Sequence, residues 1–274
     1  PMCFKNPSRL RCTAMASIAI ALIFTGLVWW FLVGTTGRNP PRSDDRRRRA
    51  VPYSPPKVAN QGLAQLVNRN VAIEERLRGG FSSGFAGVKD RRDIDALRQV
   101  LLDPQDNDTV RNEAINLLRR SRFAGLADDL LAVLASPEEK ERIRCFAAQH
   151  LGALLDDCDE HARATLLASV CSLLRDRHTG VRREALLALV RQGDPVGRET
   201  AVQWLTRPDS PVDERGEVRD LAIRCVHELE LKEHIPVIQR YLRDPNEVVR
   251  IAAIAALGEW GDHASRPAFE EAAA

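Results

Sequence analysis

The sequence predicts an all-α chain: a right-handed α-solenoid of about five helical hairpins, preceded by one transmembrane helix. Three observations carry that prediction. A Val-Arg or Ile-Arg pair recurs at 110, 143, 181, 218 and 249, in steps of 33, 38, 37 and 31 residues. A period in this range marks stacked helical repeats. Each pair opens a run rich in small and aliphatic residues at helical spacing, as in VRIAAIAALG at 249–258. Finally, residues 13–34 form a stretch of 22 residues without a charge.

Residues 1–12 are a short flank. Residues 13–34, at ~1.5 Å per residue, are long enough to cross the ~30 Å hydrocarbon layer as a helix. Trp29, Trp30 and Phe31 stand near its C-terminal end, where aromatic rings favour the lipid–water interface. A cleaved signal peptide would have an apolar core of ~7–15 residues and a small-x-small site. This run is longer and no Ala-x-Ala follows it, so an anchor is expected. Lys5, Arg9 and Arg11 precede it, whereas Arg38, Arg42, Arg46, Arg47, Arg48 and Arg49 follow it. The positive-inside rule then places the C-terminal side, and the repeats, in the cytoplasm.

Residues 35–60 read as a linker with Pro40, Pro41, Pro52, Pro55 and Pro56, stiff and unable to build a core. The basic run at 46–49 is either a solvated flank of the anchor or a grip on anionic headgroups. Residues 61–89 read as an amphipathic helix over 61–78 and a hinge containing Gly79, Gly80, Gly84 and Gly87. The hinge lacks the Gly-Lys-Ser/Thr ending of a phosphate-binding loop.

The repeat domain spans 90–274. First helices are expected at 93–102, 126–135, 162–174, 196–206 and 234–242, and second helices at the Val-Arg starts. Ser136-Pro137-Glu138-Glu139 reads as a capping box, Asp244-Pro245 and Asp103-Pro104 as equivalent starts, and Gly258 and Gly261 as helix-end signals. Ala114, Ala147, Ala185, Ala222 and Ala252 or Ala253 follow the Val-Arg pairs by three or four positions. Small side chains there let neighbouring helices approach closely, and stability comes from stacking between repeats.

The pattern L-x-D-P-x₃-VR-x₂-A-x₂-A-L-G resembles HEAT repeats, in particular the short kind of phycobilisome-lyase-like proteins. The resemblance covers about residues 90–274; Cys145-Phe146, Val226 and His227 depart from it. It implies the fold, while arrays of this kind host unrelated activities. Arg111, Arg144, Arg182, Arg219 and Arg250 recur at one register. They read either as an anion-binding row or as a structural ladder, each arginine bonding an acid or a turn carbonyl of its own or the next repeat. The resemblance implies the ladder, with Asp103 and Asp244 placed for it.

Charge narrows the partners. Residues 1–60 hold ten Lys/Arg against two Asp, whereas the remainder holds 30 basic and 36 acidic residues. A mildly acidic array argues against nucleic acid, which needs clustered Lys/Arg. Six cysteines without paired spacing read as reduced thiols. The stretch 156–161, DDCDEH, lacks the four N/S ligands of a structural zinc site. Some HEAT-like enzymes hold a di-iron centre in four His-Glu pairs; here Asn112-Glu113, Cys145-Phe146, Arg183-Glu184, Asp220-Leu221 and Ile251-Ala252 stand at those positions, and that reading fails. No cofactor and no catalytic residue are expected. The expected function is a membrane-anchored scaffold that binds a protein partner through the solenoid groove, with a bilin-lyase-like enzyme or enzyme subunit as the alternative. The exposed side of the second helices, with Asn112, Asn116, Arg183 and Arg224, is the expected partner-binding face.

Overall fold

The computed structural model of the protein describes residues 53–84, 88–207 and 216–267, with residues 81–84 described by their backbone. The expected membrane helix at 13–34 and the basic run at 46–49 lie outside them. Among the described residues, all regular structure is helical, and no helix is long and apolar enough to cross a membrane.

Twelve α-helices pair into six hairpins among these residues. They are α1 (Gln61–Leu66) with α2 (Ile73–Gly84), and α3 (Arg91–Leu102) with α4 (Asp108–Arg120). Next come α5 (Leu126–Ala135) with α6 (Glu141–Asp157), and α7 (Glu160–Leu173) with α8 (Thr179–Arg191). The last two pairs are α9 (Pro195–Thr206) with α10 (Glu217–Glu228), and α11 (Ile235–Arg240) with α12 (Glu247–Glu259). The even-numbered helices pack on one another in series, α2 on α4 through to α10 on α12. The odd-numbered helices form the other layer.

The small residues explain the close stacking. Ala114, Ala147, Ala185, Ala222 and Ala253 are all fully buried. One such close approach is between α6 and α8. A Cβ added to Gly152 would stand 2.7 Å from the Ala188 Cβ, so only glycine fits there without a shift. Leucine and valine fill the space between the layers, in a core running from Leu63 to Leu257.

Several sequence expectations are corrected. The single amphipathic helix expected over 61–78 is two helices, and Gly79, Gly80 and Gly84 lie within α2 instead of forming a hinge. The array therefore holds a sixth hairpin. The linker is shorter than expected, because the compact unit begins at Tyr53. The Tyr53 hydroxyl donates to the Val67 carbonyl. The Ala59 N–H donates to Asp93 Oδ1 at 2.6 Å and the Asn60 N–H to the same oxygen at 3.2 Å. Asp93 is itself buried, so residues 53–60 are strapped onto the first two hairpins.

The capping assignments shift as well. Lys140 caps α6 without a side-chain bond, and Ser136 instead ends α5. Glu139 is drawn away from the expected capping box because it pairs with Arg111. Asn246, not Asp244, caps α12, accepting from the Val248 N–H at 2.9 Å. Likewise Asn107, not Asp103, caps α4. Gly258 lies inside α12, and Gly261, with φ +70°, follows its end. There the Asp262 N–H reaches the Leu257 carbonyl at 2.9 Å and the Gly261 N–H the Gly258 carbonyl at 3.0 Å, the paired bonds of a Schellman ending. The same two bonds end α4, α8 and α10, with Arg122, Gly193 and Glu230 in the left-handed position.

Candidate partner-binding face

The recurring arginines are held by internal acceptors. Arg111 is fully buried. Its Nε donates to the Leu101 carbonyl at 2.8 Å, and its two terminal nitrogens grip Glu139 at 2.7 and 2.6 Å. Glu139 belongs to the next hairpin, so this bidentate pair ties two repeats together. Arg144 repeats the arrangement, donating to the Leu134 carbonyl at 2.6 Å and to Asp176. Arg219 reaches Asp244 at 2.9 and 3.2 Å. Arg182 and Arg250 bond turn carbonyls, those of Asp176 at 2.8 Å and Asp244 at 2.9 Å.

A sixth rung escaped the sequence reading. Arg76 donates to the Leu66 carbonyl at 2.8 Å and holds Asp106 at 2.6 and 2.7 Å. Burial works to raise the Asp106 pKa, but the bonds from Arg76 and the Asn107 N–H outweigh it and hold it below the ordinary value. The signal was present: Arg76 follows Leu66 by ten residues, as Arg111 follows Leu101 and Arg144 follows Leu134. It was hidden because Glu75, and not Val or Ile, precedes it.

The four expected contact residues lie on α4, α8 and α10, and the structure joins all four to neighbours. Asn112 is half-buried, with Oδ1 3.1 Å from His150 Nε2 on α6. Burial, with the nearby Arg119 charge, pushes the His150 pKa down to about 4. The ring is therefore neutral at pH 7. Asn116 donates to Glu113 at 3.1 Å. Burial raises the Glu113 carboxyl above its ordinary pKa.

Arg183 was expected to point into solvent. Its side chain is only 19% exposed and donates to Asp220 Oδ1 at 2.8 Å. Asp220, 6% exposed, also accepts from Arg224 through its other oxygen. One buried carboxylate thus clips α8 to α10 through two arginines. The correction has a simple cause: Arg183 and Asp220 stand 37 residues apart, and reading one helix at a time does not pair them. Arg224 is the most exposed of the four, at 51% of its side chain. Beyond it, His227 on α10 lies 3.4 Å from Glu259 on α12 and 5.1 Å, ring to ring, from Trp260.

Cys225 is buried and Cys145 half-buried. Burial pushes the thiols of Cys145 and Cys225 up to about 12, so both stay protonated. Among the described residues, no group of three or more His, Cys, Asp or Glu side chains is placed to hold a metal.

Residues 212–274 match the family model of HEAT repeats. With the paired helices and the arginine ladder, this match supports a HEAT-repeat protein. A solved engineered protein aligns with a TM-score of 0.40 and 19% identity, over 73% of this chain and 96% of that chain. Curated proteins yield no match to the sequence.

Proposed function

We propose that this chain is a membrane-anchored HEAT-repeat scaffold that binds a protein partner along its second-helix face and carries out no chemistry itself. The observation that carries the reading is the state of that face. Its inner polar groups neutralise one another across helices, while Arg224, Glu228 and Glu259 remain exposed at its surface. A rigid surface with scattered exposed charges suits a polar contact of moderate affinity. HEAT-type arrays serve generally as scaffolds, and the short period of these hairpins supports the phycobilisome-lyase-like kind. The uncharged run at 13–34 supports a single-pass anchor, and the arginines after it support a cytoplasmic array.

Photo-crosslinking in the native membrane tests this reading. A crosslinker in place of Arg224 or Glu228 is expected to capture one protein, and one in place of Arg198 or Arg240, on the first-helix layer, to capture none. Capture from Arg198 and Arg240 alone would move the contact to the other layer. Protease added to intact cells is expected to leave the array uncut; digestion with inner markers intact would reverse the orientation.

A further inference from the structure

The charges at the ends of the second helices are ordered along the array. Counting from each ladder arginine, the ninth residue is Arg120 on α4, Ala153 on α6, Arg191 on α8, Glu228 on α10 and Glu259 on α12. The four charged ones are all exposed. A further second helix packs after α4, after α8 and after α10, yet each still exposes this position, so stacking does not cover it. The row lies one turn beyond Asn116, Gln149, Leu187, Arg224 and Ala255, on the same side of each helix. It therefore belongs to the partner face proposed above.

Two observations set the row apart. Arg120, Arg191 and Glu228 have no ion pair or side-chain hydrogen bond among the described residues, and Glu259 has only His227, at 3.4 Å. By contrast, Arg224 is held by Asp220, and Lys232 lies 3.6 Å from Glu230. Each of the four is also the last residue of its helix. The carbonyl end of a helix is negative and favours a cation. Arg120 and Arg191 meet that preference, but Glu228 and Glu259 oppose it, so helix stability does not account for them. Their carboxylates are open to a cation from outside the chain.

We propose that this row seats an extended segment of the partner, with acidic side chains opposite Arg120 and Arg191 and basic side chains opposite Glu228 and Glu259. The inference rests on the partner reading above and adds the partner's chemistry to it. A nucleic acid or an anionic lipid surface calls for one sign of charge, whereas this row presents two, which a segment of mixed charge matches. Packed helices lie about 8–10 Å apart, and an extended chain advances ~3.3 Å per residue. One hairpin thus corresponds to about three residues of the segment. The two basic side chains stand about that far apart, and an acidic one follows at the same interval. The second acidic one lies two intervals further on, because α6 carries uncharged Ala153 in the row.

Selection of a random peptide library on the full chain in detergent tests this, with helical circular dichroism as the check on folding. The wild type is expected to enrich peptides that are acidic towards one end and basic towards the other, at the spacing above. Those peptides should bind at least tenfold more weakly to Arg120→Glu with Arg191→Glu, and to Glu228→Lys with Glu259→Lys, at unchanged helicity. The first variant should instead enrich wholly basic peptides. Failure to enrich charge-ordered peptides would overturn the proposal, as would undiminished binding by either variant. A wild type that dimerises in detergent, with the dimer lost in the first variant, would give the row to a second copy and overturn it too. Crosslinked capture of a protein from Arg224 or Glu228, together with peptides lacking the charge order, would refute the segment's chemistry and leave the partner reading standing. No capture from either position would refute the partner reading, whatever the peptides show.

Discussion

Arg111 and Glu139 offer the sharpest perturbation. Arg111 is fully buried and Glu139 is 7% exposed, and two bonds of 2.7 and 2.6 Å join them. Glu139→Leu leaves a buried guanidinium with only the Leu101 carbonyl as acceptor. Removing one partner of a buried pair costs about 3–5 kcal/mol. Arg111→Met leaves a buried carboxylate and should cost a similar amount. The double variant replaces both charges with apolar groups and loses the Leu101 bond, worth about 1 kcal/mol. It should therefore lie within about 2 kcal/mol of wild type, giving a coupling energy of at least about 3 kcal/mol. The assay is urea unfolding followed by helical circular dichroism. At a slope of about 2 kcal/mol/M, each single substitution should lower the midpoint by about 2 M. Because solenoids unfold in segments, hydrogen exchange should show the loss centred on α4, α5 and α6. Single variants within about 1 kcal/mol of wild type, or a cycle with no coupling, would refute the role of the ladder as a clip between repeats.

Three further outcomes follow from local geometry. Gly152→Ala should destabilise the α6–α8 joint by about 1–2 kcal/mol through overpacking against Ala188, and Ala188→Gly in the same chain should restore it; thermal melting reads both. Glu230 sits at φ +54°, a region unfavourable to side chains by about 1 kcal/mol, so Glu230→Gly should raise the melting temperature by about 2–4 °C, and a fall would contradict the Schellman assignment. His150 is neutral when folded, with its pKa pushed down to about 4, whereas the unfolded chain protonates it near its ordinary value of about 6.5. The unfolded state thus binds more protons between these values, so stability is present above about pH 6.5 and lost as pH falls towards 4, by up to about 3 kcal/mol. Chemical unfolding of His150→Gln and wild type at pH 7 and pH 4.5 checks this, since the variant should lose less; equal losses would contradict the burial of a neutral ring.

The repeat was legible because its signals are local. Val-Arg starts and small residues one turn later lie within one helix, and they place Ala114, Ala147, Ala185, Ala222 and Ala253 in the core. The first hairpin was illegible because α1 has only six residues and Glu75 masks the Arg76 rung. Capping failed where a second demand competed. Ser136 and Glu139 have capping-box spacing, yet Glu139 answers an arginine from the preceding repeat. The same limit applied to the candidate face: Arg183 looked exposed on its own helix, and its partner Asp220 comes from the next hairpin. Periodicity locates helices, but pairing between repeats depends on the offset between layers, which the sequence does not state.

The exposed charges of the second-helix face are proposed to hold a protein partner. The most direct measurement is recovery of proteins co-purifying with the full chain from membranes, comparing wild type, Arg224→Glu with Glu228→Lys, and Arg198→Glu with Arg240→Glu. The first pair of changes is expected to reduce recovery of one specific protein at least tenfold, with unchanged helicity. Higher salt should weaken wild-type recovery, since charged rims are screened, and the second pair should have no effect. Full recovery with the first pair and loss with the second would contradict the proposal.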